Sequence, residues 1–186
     1  MAELVERYVG VSLVSRGDAF GTLARSIVGQ QISVKAADAV WGRFVAQIGE
    51  VVPARVVELG ECGLAGCGLS RRKIEYLCDL AGHFVSGQLD PSAWLQLSDE
   101  EIIAELTAVR GIGRWTAEMF LIFHQLRPDI FPLDDIGLQR AVYERYFAGE
   151  KQSRRALAEF GERWRPWRSV ATWYLWRSLD PVPVEY

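Results

Sequence analysis

The residues whose type and spacing could do chemistry fall in two short blocks, Val109-Arg110-Gly111-Ile112-Gly113-Arg114 and Phe131-Pro132-Leu133-Asp134-Asp135. In the first, the glycines permit a tight reversal of the chain through positive φ. The helix-like run that follows, with Trp115, Ala117, Met119, Phe120, Ile122 and Phe123 apolar, leaves its first-turn N–H groups pointing outward near Gly111 and Gly113. That is an anion site, and a DNA phosphate is one occupant. An ordinary αα-hairpin with glycines at its bend explains the same residues as well. In the second block Asp135 stands at the start of a further helix-like run, where N–H groups and the helix dipole favour a charged carboxylate. Such a carboxylate can stabilise a developing cation or orient a water molecule. Both Asp134 and Asp135 also make sense as plain helix-start acids, and for Asp134 that is the preferred reading.

The elements that must position these blocks are helices. Ser98 is placed to cap a run in which Asp99, Glu100 and Glu101 face the positive end of the dipole, and Ile102, Ile103, Leu106 and Val109 share one face. Upstream, a helix-like start gives way to a connector around Gly10 and Gly17. Asp18 then caps a run bearing Phe20, Leu23, Ala24, Ile27 and Val28. It ends in Gly29-Gln30-Gln31-Ile32, after which Ser33 caps another run with Val34, Ala37, Val40, Trp41, Phe44 and Ile48. Pro53 opens a short helix through Leu59. Ser70 caps a helix with Ile74, Leu77, Cys78, Leu80, Ala81 and Phe84 inward, and Gly87 stops it. Beyond Asp135, Ile136, Leu138, Ala141, Val142 and Phe147 mark one helix and Leu157, Phe160 and Trp164 another. A last helix begins near Pro166-Trp167-Arg168-Ser169. No stretch alternates with period two, so the fold class is expected to be all-α. Trp41, Trp94, Trp164 and Trp167 are expected in the core.

With 186 residues, about half of them apolar, the chain suffices for one sizeable core or two small lobes. No membrane span and no signal peptide are evident, so a soluble, intracellular (cytoplasmic) protein is expected. Cys62, Cys67 and Cys78 are odd in number and read as buried or incidental thiols rather than a metal site. The net charge of −3 is awkward for a DNA-binding protein. Arg140, Arg145, Arg154, Arg155, Arg163, Arg165 and Arg168 are concentrated late in the chain, either as a local basic face or as partners of Glu144, Glu159 and Glu162.

Gly111-Ile112-Gly113-Arg114-Trp115-Thr116-Ala117, followed by Phe131-Pro132-Leu133-Asp134-Asp135, resembles the helix-hairpin-helix DNA glycosylase superfamily. Ile27-Val28-Gly29-Gln30-Gln31-Ile32-Ser33 is similar to that family's junction between two helices, and Leu64-x-x-x-Gly68-Leu69-Ser70-x-x-Lys73 to the stretch before its central helix. The resemblance implies one glycosylase core over 1–186. In it the N- and C-terminal helices form one lobe, residues from roughly 32 to 130 form the other, and the active site occupies the cleft between them. It further implies Asp135 as the catalytic carboxylate, Gln31 or else Gln30 as the wedge that fills the gap left by an extruded base, and DNA backbone contacts from Arg110, Gly111, Ile112, Gly113, Arg114 and Thr116.

The base pocket implied by the resemblance comprises Trp115, Trp176, Met119 and Trp173, Trp173 being ambiguous. An electron-rich indole face attracts a positively charged N-alkylated purine by about 0.5–2 kcal/mol. Relatives that also cut the strand use a lysine where Trp115 stands, and the hairpin here contains no lysine, so a monofunctional enzyme is implied. No cysteine follows Cys78, which removes the iron–sulfur branches and leaves the 3-methyladenine DNA glycosylase II branch. No cofactor is expected to be required. A sodium or potassium ion on the main-chain carbonyls of Thr107, Val109 and Ile112 is an option in this family. Arg110 replaces a proline common before the bend and adds a candidate phosphate contact. The expected partner is double-stranded DNA with damaged bases, bound by a monomer. The rival readings are a non-catalytic helix-hairpin-helix DNA-binding module and a glycosylase for deaminated or oxidised bases.

Overall fold

The structure, a computed structural model, describes residues 1–15 and 17–180. Among them the chain forms helices joined by loops and contains no strand, as expected of an all-α protein. The α-helices are α1 (Ala2–Arg7), α2 (Ala19–Gly29), α3 (Val34–Ile48), α4 (Pro53–Leu64), α5 (Arg71–Val85), α6 (Asp99–Ala108), α7 (Arg114–Phe123), α8 (Ile136–Tyr146), α9 (Arg154–Gly161) and α10 (Arg168–Leu179). The starts follow local chemistry. Asp18, Ser33, Ser70 and Ser98 each accept a main-chain N–H from the first turn of α2, α3, α5 and α6. At Ser98 the exchange is reciprocal, because Glu101 reaches back to the Ser98 N–H. Helix α4 runs past its expected end at Leu59, but Gly60 breaks it with a non-helical φ of 57°.

The chain divides into two compact units, one of residues 1–15 and 121–186 and one of residues 16–120, and the division falls inside α7. This differs from a middle lobe of roughly 32 to 130, because α2 is built into the middle unit. Phe20 of α2 meets Phe84 of α5 edge to face at 5.4 Å. The series continues through Trp94, 6.4 Å from Phe84, to Phe120, 5.4 Å from Trp94. Trp94 is fully buried, and its indole N–H donates to Glu105 at 2.8 Å, which satisfies its one polar atom.

In the other unit, Phe131 packs with Leu138, Ala141 and Val142 of α8, Leu157 of α9 and Leu175 of α10. Tyr146, Phe160 and Trp164 extend this core, Trp164 lying edge-on to Phe160 at 5.3 Å. Tyr8 ties the first helix to the last by donating its hydroxyl proton to the Arg177 carbonyl at 2.9 Å. Trp167, expected in the core, is 60% exposed, because it precedes the first residue of α10 and contributes to the rim of a cavity rather than to a packed face.

Candidate active site

Asp135 is the N-cap of α8 and is buried, retaining 9% of its surface. Its Oδ1 accepts the Leu138 N–H at 2.5 Å and the Trp176 indole N–H at 2.8 Å. The first bond fixes the carboxylate on the helix axis, and the second comes from α10, 41 residues later. Trp176 in turn stacks on Phe123, with ring centroids 5.6 Å apart and planes 13° from parallel. A Cβ at Gly137 would lie 3.2 Å from Asp135 Oδ1 and 3.3 Å from the Trp176 ring, so a side chain there would press on both partners of this bond. The sequence pointed to Asp135 and Trp176 individually. Phe123 and Gly137 were missed as site residues, since nothing local marks either as a neighbour of position 176. Asp134, by contrast, is exposed and paired with Arg154, an ordinary surface acid.

The loop that delivers Asp135 is pinned at its other end by the same helix. Ser169 of α10 accepts the Ile130 N–H at 2.8 Å and donates to the Arg127 carbonyl at 2.6 Å. Arg168 donates to both Asp129 carboxylate oxygens, at 2.7 and 3.0 Å. Burial alone would raise the Asp129 carboxyl, but the hydrogen bonds from Arg168 and the charges of Arg168 and Arg165 outweigh it and hold the group below the usual aspartate range.

Gly111 has φ +87°, and Ile112 tucks into the interior at 4% exposure while Gly113 remains exposed. The Gly113 carbonyl accepts the Ala117 N–H, which makes Gly113 the residue at the mouth of α7, and a glycine supplies no side chain to cap that helix. Thr116 is buried in the same turn. The arginines of the bend are committed to acids. Arg110 donates to Asp79 through its main-chain N–H and its Nε. Arg114 makes a two-pronged contact with Glu100 and a third bond to Glu118, and the hydrogen bond from Arg114 holds Glu100 below the usual carboxylate range. Gln30 and Gln31 part company. Gln30 donates its side-chain amide to the Gly111 carbonyl at 2.8 Å, whereas Gln31 is exposed with φ +60°.

The other residues expected at a base pocket are placed differently. Trp115 is half-buried in the first turn of α7. Met119 and Trp173 are buried, at 4% and 6%. Trp173 meets Tyr174 edge to face and lines a cavity of about 320 Å³ together with Val11, Leu126, Pro128, Trp167 and Val170, a space that includes neither Asp135 nor Trp176. The late arginines form no free basic face. Arg140 pairs with Glu144, Arg145 with Glu3, Arg155 with Glu159, and both Arg165 and Arg168 with Asp129 and Glu162. Arg163 lies over the Phe160 ring.

Cys62 is exposed, Cys67 buried and Cys78 half-buried, and burial pushes the Cys67 and Cys78 thiols up. The Thr107 and Val109 carbonyls sit where α6 runs out of intrahelical donors, and the Val109 carbonyl takes the Ile112 N–H at 3.2 Å, leaving a second lone pair. Neutral carbonyl oxygens in a glycine bend fit a hard monovalent cation. No described helix is long and apolar enough to cross a membrane.

Comparison with known proteins places this geometry in context. The family described as HhH-GPD superfamily base excision DNA repair protein matches residues 24–166. DNA-3-methyladenine glycosylase 1 of Schizosaccharomyces pombe is 31% identical over 182 residues, covering 96% of this chain and 80% of that protein. The crystal structure of a DNA-3-methyladenine glycosidase from Bacillus halodurans superposes with a TM-score of 0.89 at 36% identity, over 96% of this chain and 83% of that one. The S. pombe 3-methyladenine DNA glycosylase in complex with abasic DNA superposes at 0.80 with 30% identity, over 100% of this chain and 92% of that one. The chain spans 66% of the length of a Bacillus subtilis relative to which it is 31% identical.

Proposed function

The chain belongs to the HhH-GPD superfamily of base excision DNA repair proteins, and we propose that it is a monofunctional DNA glycosylase that hydrolyses the N-glycosidic bond of alkylated purines in double-stranded DNA. The observation that carries the reading is the Asp135 carboxylate, held by one main-chain N–H and one indole N–H at the mouth of α8. A glycosylase must evert its base, hold it, and cut the bond to C1′ as the sugar becomes cationic. In this account Asp135 faces that sugar, where a fixed negative charge lowers the energy of the oxocarbenium-like transition state or aligns the attacking water. A carboxylate held by two donors need not reorganise as the charge develops.

An N-alkylated purine carries positive charge and leaves readily. The indole faces of Trp176 and Trp115 suit such a ring, and the buried Met119 and Trp173 act as support rather than as contacts. The bend, anchored by the buried Ile112, grips a phosphate through main-chain N–H groups of Gly111 and Gly113 and of the first turn of α7 from Arg114 to Thr116, since the Arg110 and Arg114 charges are already met by Asp79 and Glu100. A sodium or potassium ion on the Thr107, Val109 and Ile112 carbonyls would add positive charge to that grip. Gln31, exposed and left-handed in backbone, fills the vacated stack. With Trp115 in place of a lysine, no amine at the bend can form a Schiff base with the abasic sugar.

The test is a duplex with one 7-methylguanine-type or 3-methyladenine-type lesion. The expected products are a free methylated base and an intact strand that breaks only on alkali treatment. Strand cleavage without alkali, together with trapping by borohydride, would contradict the monofunctional assignment. Release of only deaminated or oxidised bases from a lesion panel would move the substrate class.

A further inference from the structure

Lys73, Tyr76 and Asp79 lie three residues apart along α5 and therefore on one side of it. Each holds a different piece of the DNA-facing apparatus proposed above. Lys73 Nζ donates to the Val28 and Gln30 carbonyls, both at 2.8 Å, closing the C-terminal end of α2 immediately before Gln31. The side chain is half-buried, and burial draws its amine down from the ordinary lysine range. The Tyr76 ring comes so close to Gly111 that a Cβ there would collide with it. Asp79 takes the Arg110 N–H at 2.8 Å and the Arg110 Nε at 3.1 Å. The Gln30 side chain closes the circuit by donating to the Gly111 carbonyl at 2.8 Å.

The two segments so held, residues 28–31 and 110–111, are some 80 residues apart in the chain, at the 81-residue separation of the Gln30–Gly111 bond. Ties of this kind make their displacements common. A loop held at one end only would absorb the work of entering a base stack by moving back, because unstacking a base pair is itself uphill.

We propose that the Lys73–Tyr76–Asp79 side of α5, with Gln30, is a positioning element that joins the Gln31 loop and the glycine bend into one rigid piece, so that stack insertion and backbone grip occur together. These residues touch neither the base nor the sugar. They matter where the target must be taken out of an intact stack, and not where it is already unpaired. The proposal rests on the glycosylase reading for its consequence in catalysis, whereas the mechanical coupling it asserts stands on this unit alone.

Two measurements separate the two. The first is amide hydrogen exchange on the wild-type chain and on Lys73→Met and Gln30→Ala. Coupling predicts faster exchange in residues 109–113 of Lys73→Met as well as in 28–32, although the Lys73 amine bonds to the α2 end. Faster exchange confined to 28–32 would overturn the proposal. The second is base release from a fully paired lesion duplex and from the same lesion in an unpaired bubble. Lys73→Met should lose about tenfold on the duplex and little on the bubble, with Lys73→Arg restoring most of the loss. Equal losses on both substrates would mark a merely structural role and overturn the proposal. A wild-type chain that releases no base from either substrate, yet shows the linked exchange, would sink the glycosylase reading and leave the coupling standing.

Discussion

At the residue scale, the Asp135–Trp176 contact joins a charge to a donor that has no other polar function. Trp176→Phe removes the N–H together with part of the indole and leaves a smaller aromatic ring at the Phe123 stack. A hydrogen bond to a charged group contributes about 1.5–3 kcal/mol, so the turnover of Trp176→Phe should fall by roughly ten- to a hundredfold with DNA affinity nearly unchanged. A single-turnover rate equal to wild type would show that the indole N–H does not orient the carboxylate. Gly137→Val should imitate that loss by pushing the ring away, and a fully active valine variant would contradict the close-approach argument. Asp129 gives a prediction in pH. Its folded carboxyl sits below the usual range, so its stabilising contribution is complete above the ordinary aspartate value and is lost as pH falls through the lower folded one. In urea titrations the stability gap between wild type and Asp129→Asn should therefore be constant near neutrality and close in acid. A gap that widens in acid would reverse the sign of the argument.

At the element scale, Ser98 makes a reciprocal cap that should be worth about 1 kcal/mol, so Ser98→Ala ought to lower the unfolding free energy obtained from urea titration by that amount. Base release, measured well below the midpoint, should stay the same, because the cap lies at the far end of α6 from the bend. The caps at Asp18, Ser33, Ser70 and Ser98 were all legible in the sequence, since a cap joins residues three apart. Asp135 was legible for the same reason. Its partner was not, because the Trp176 bond depends on how α10 lies on α8. The same blindness hides Tyr76 and Asp79, because sequence spacing says nothing of what one side of a helix holds. Hydrophobicity alone places Trp167 in the core, which fails for a residue just outside a helix start. The break in α4 at Gly60 illustrates the converse, a local signal overrun by a second helical turn that carries the chain to the buried Leu64.

At the scale of the molecule, a net charge of −3 sits with a set of arginines that are paired within the chain. DNA affinity should thus depend on salt only as steeply as a few phosphate contacts require, with a log–log slope of about −0.9 per contact. Replacing both Arg140 and Arg155 by alanine should leave that slope unchanged, and a loss of about one unit per arginine would show that they leave their glutamates for phosphate. The most direct test of the whole account is release of methylated purines from alkylated duplex DNA by the wild-type chain and by Asp135→Asn, under single-turnover conditions with binding measured in parallel. The account predicts base release by the wild type and a fall of about a hundredfold or more in the asparagine variant at similar affinity. An inert wild type that still binds DNA, or an asparagine variant of undiminished rate, would contradict it.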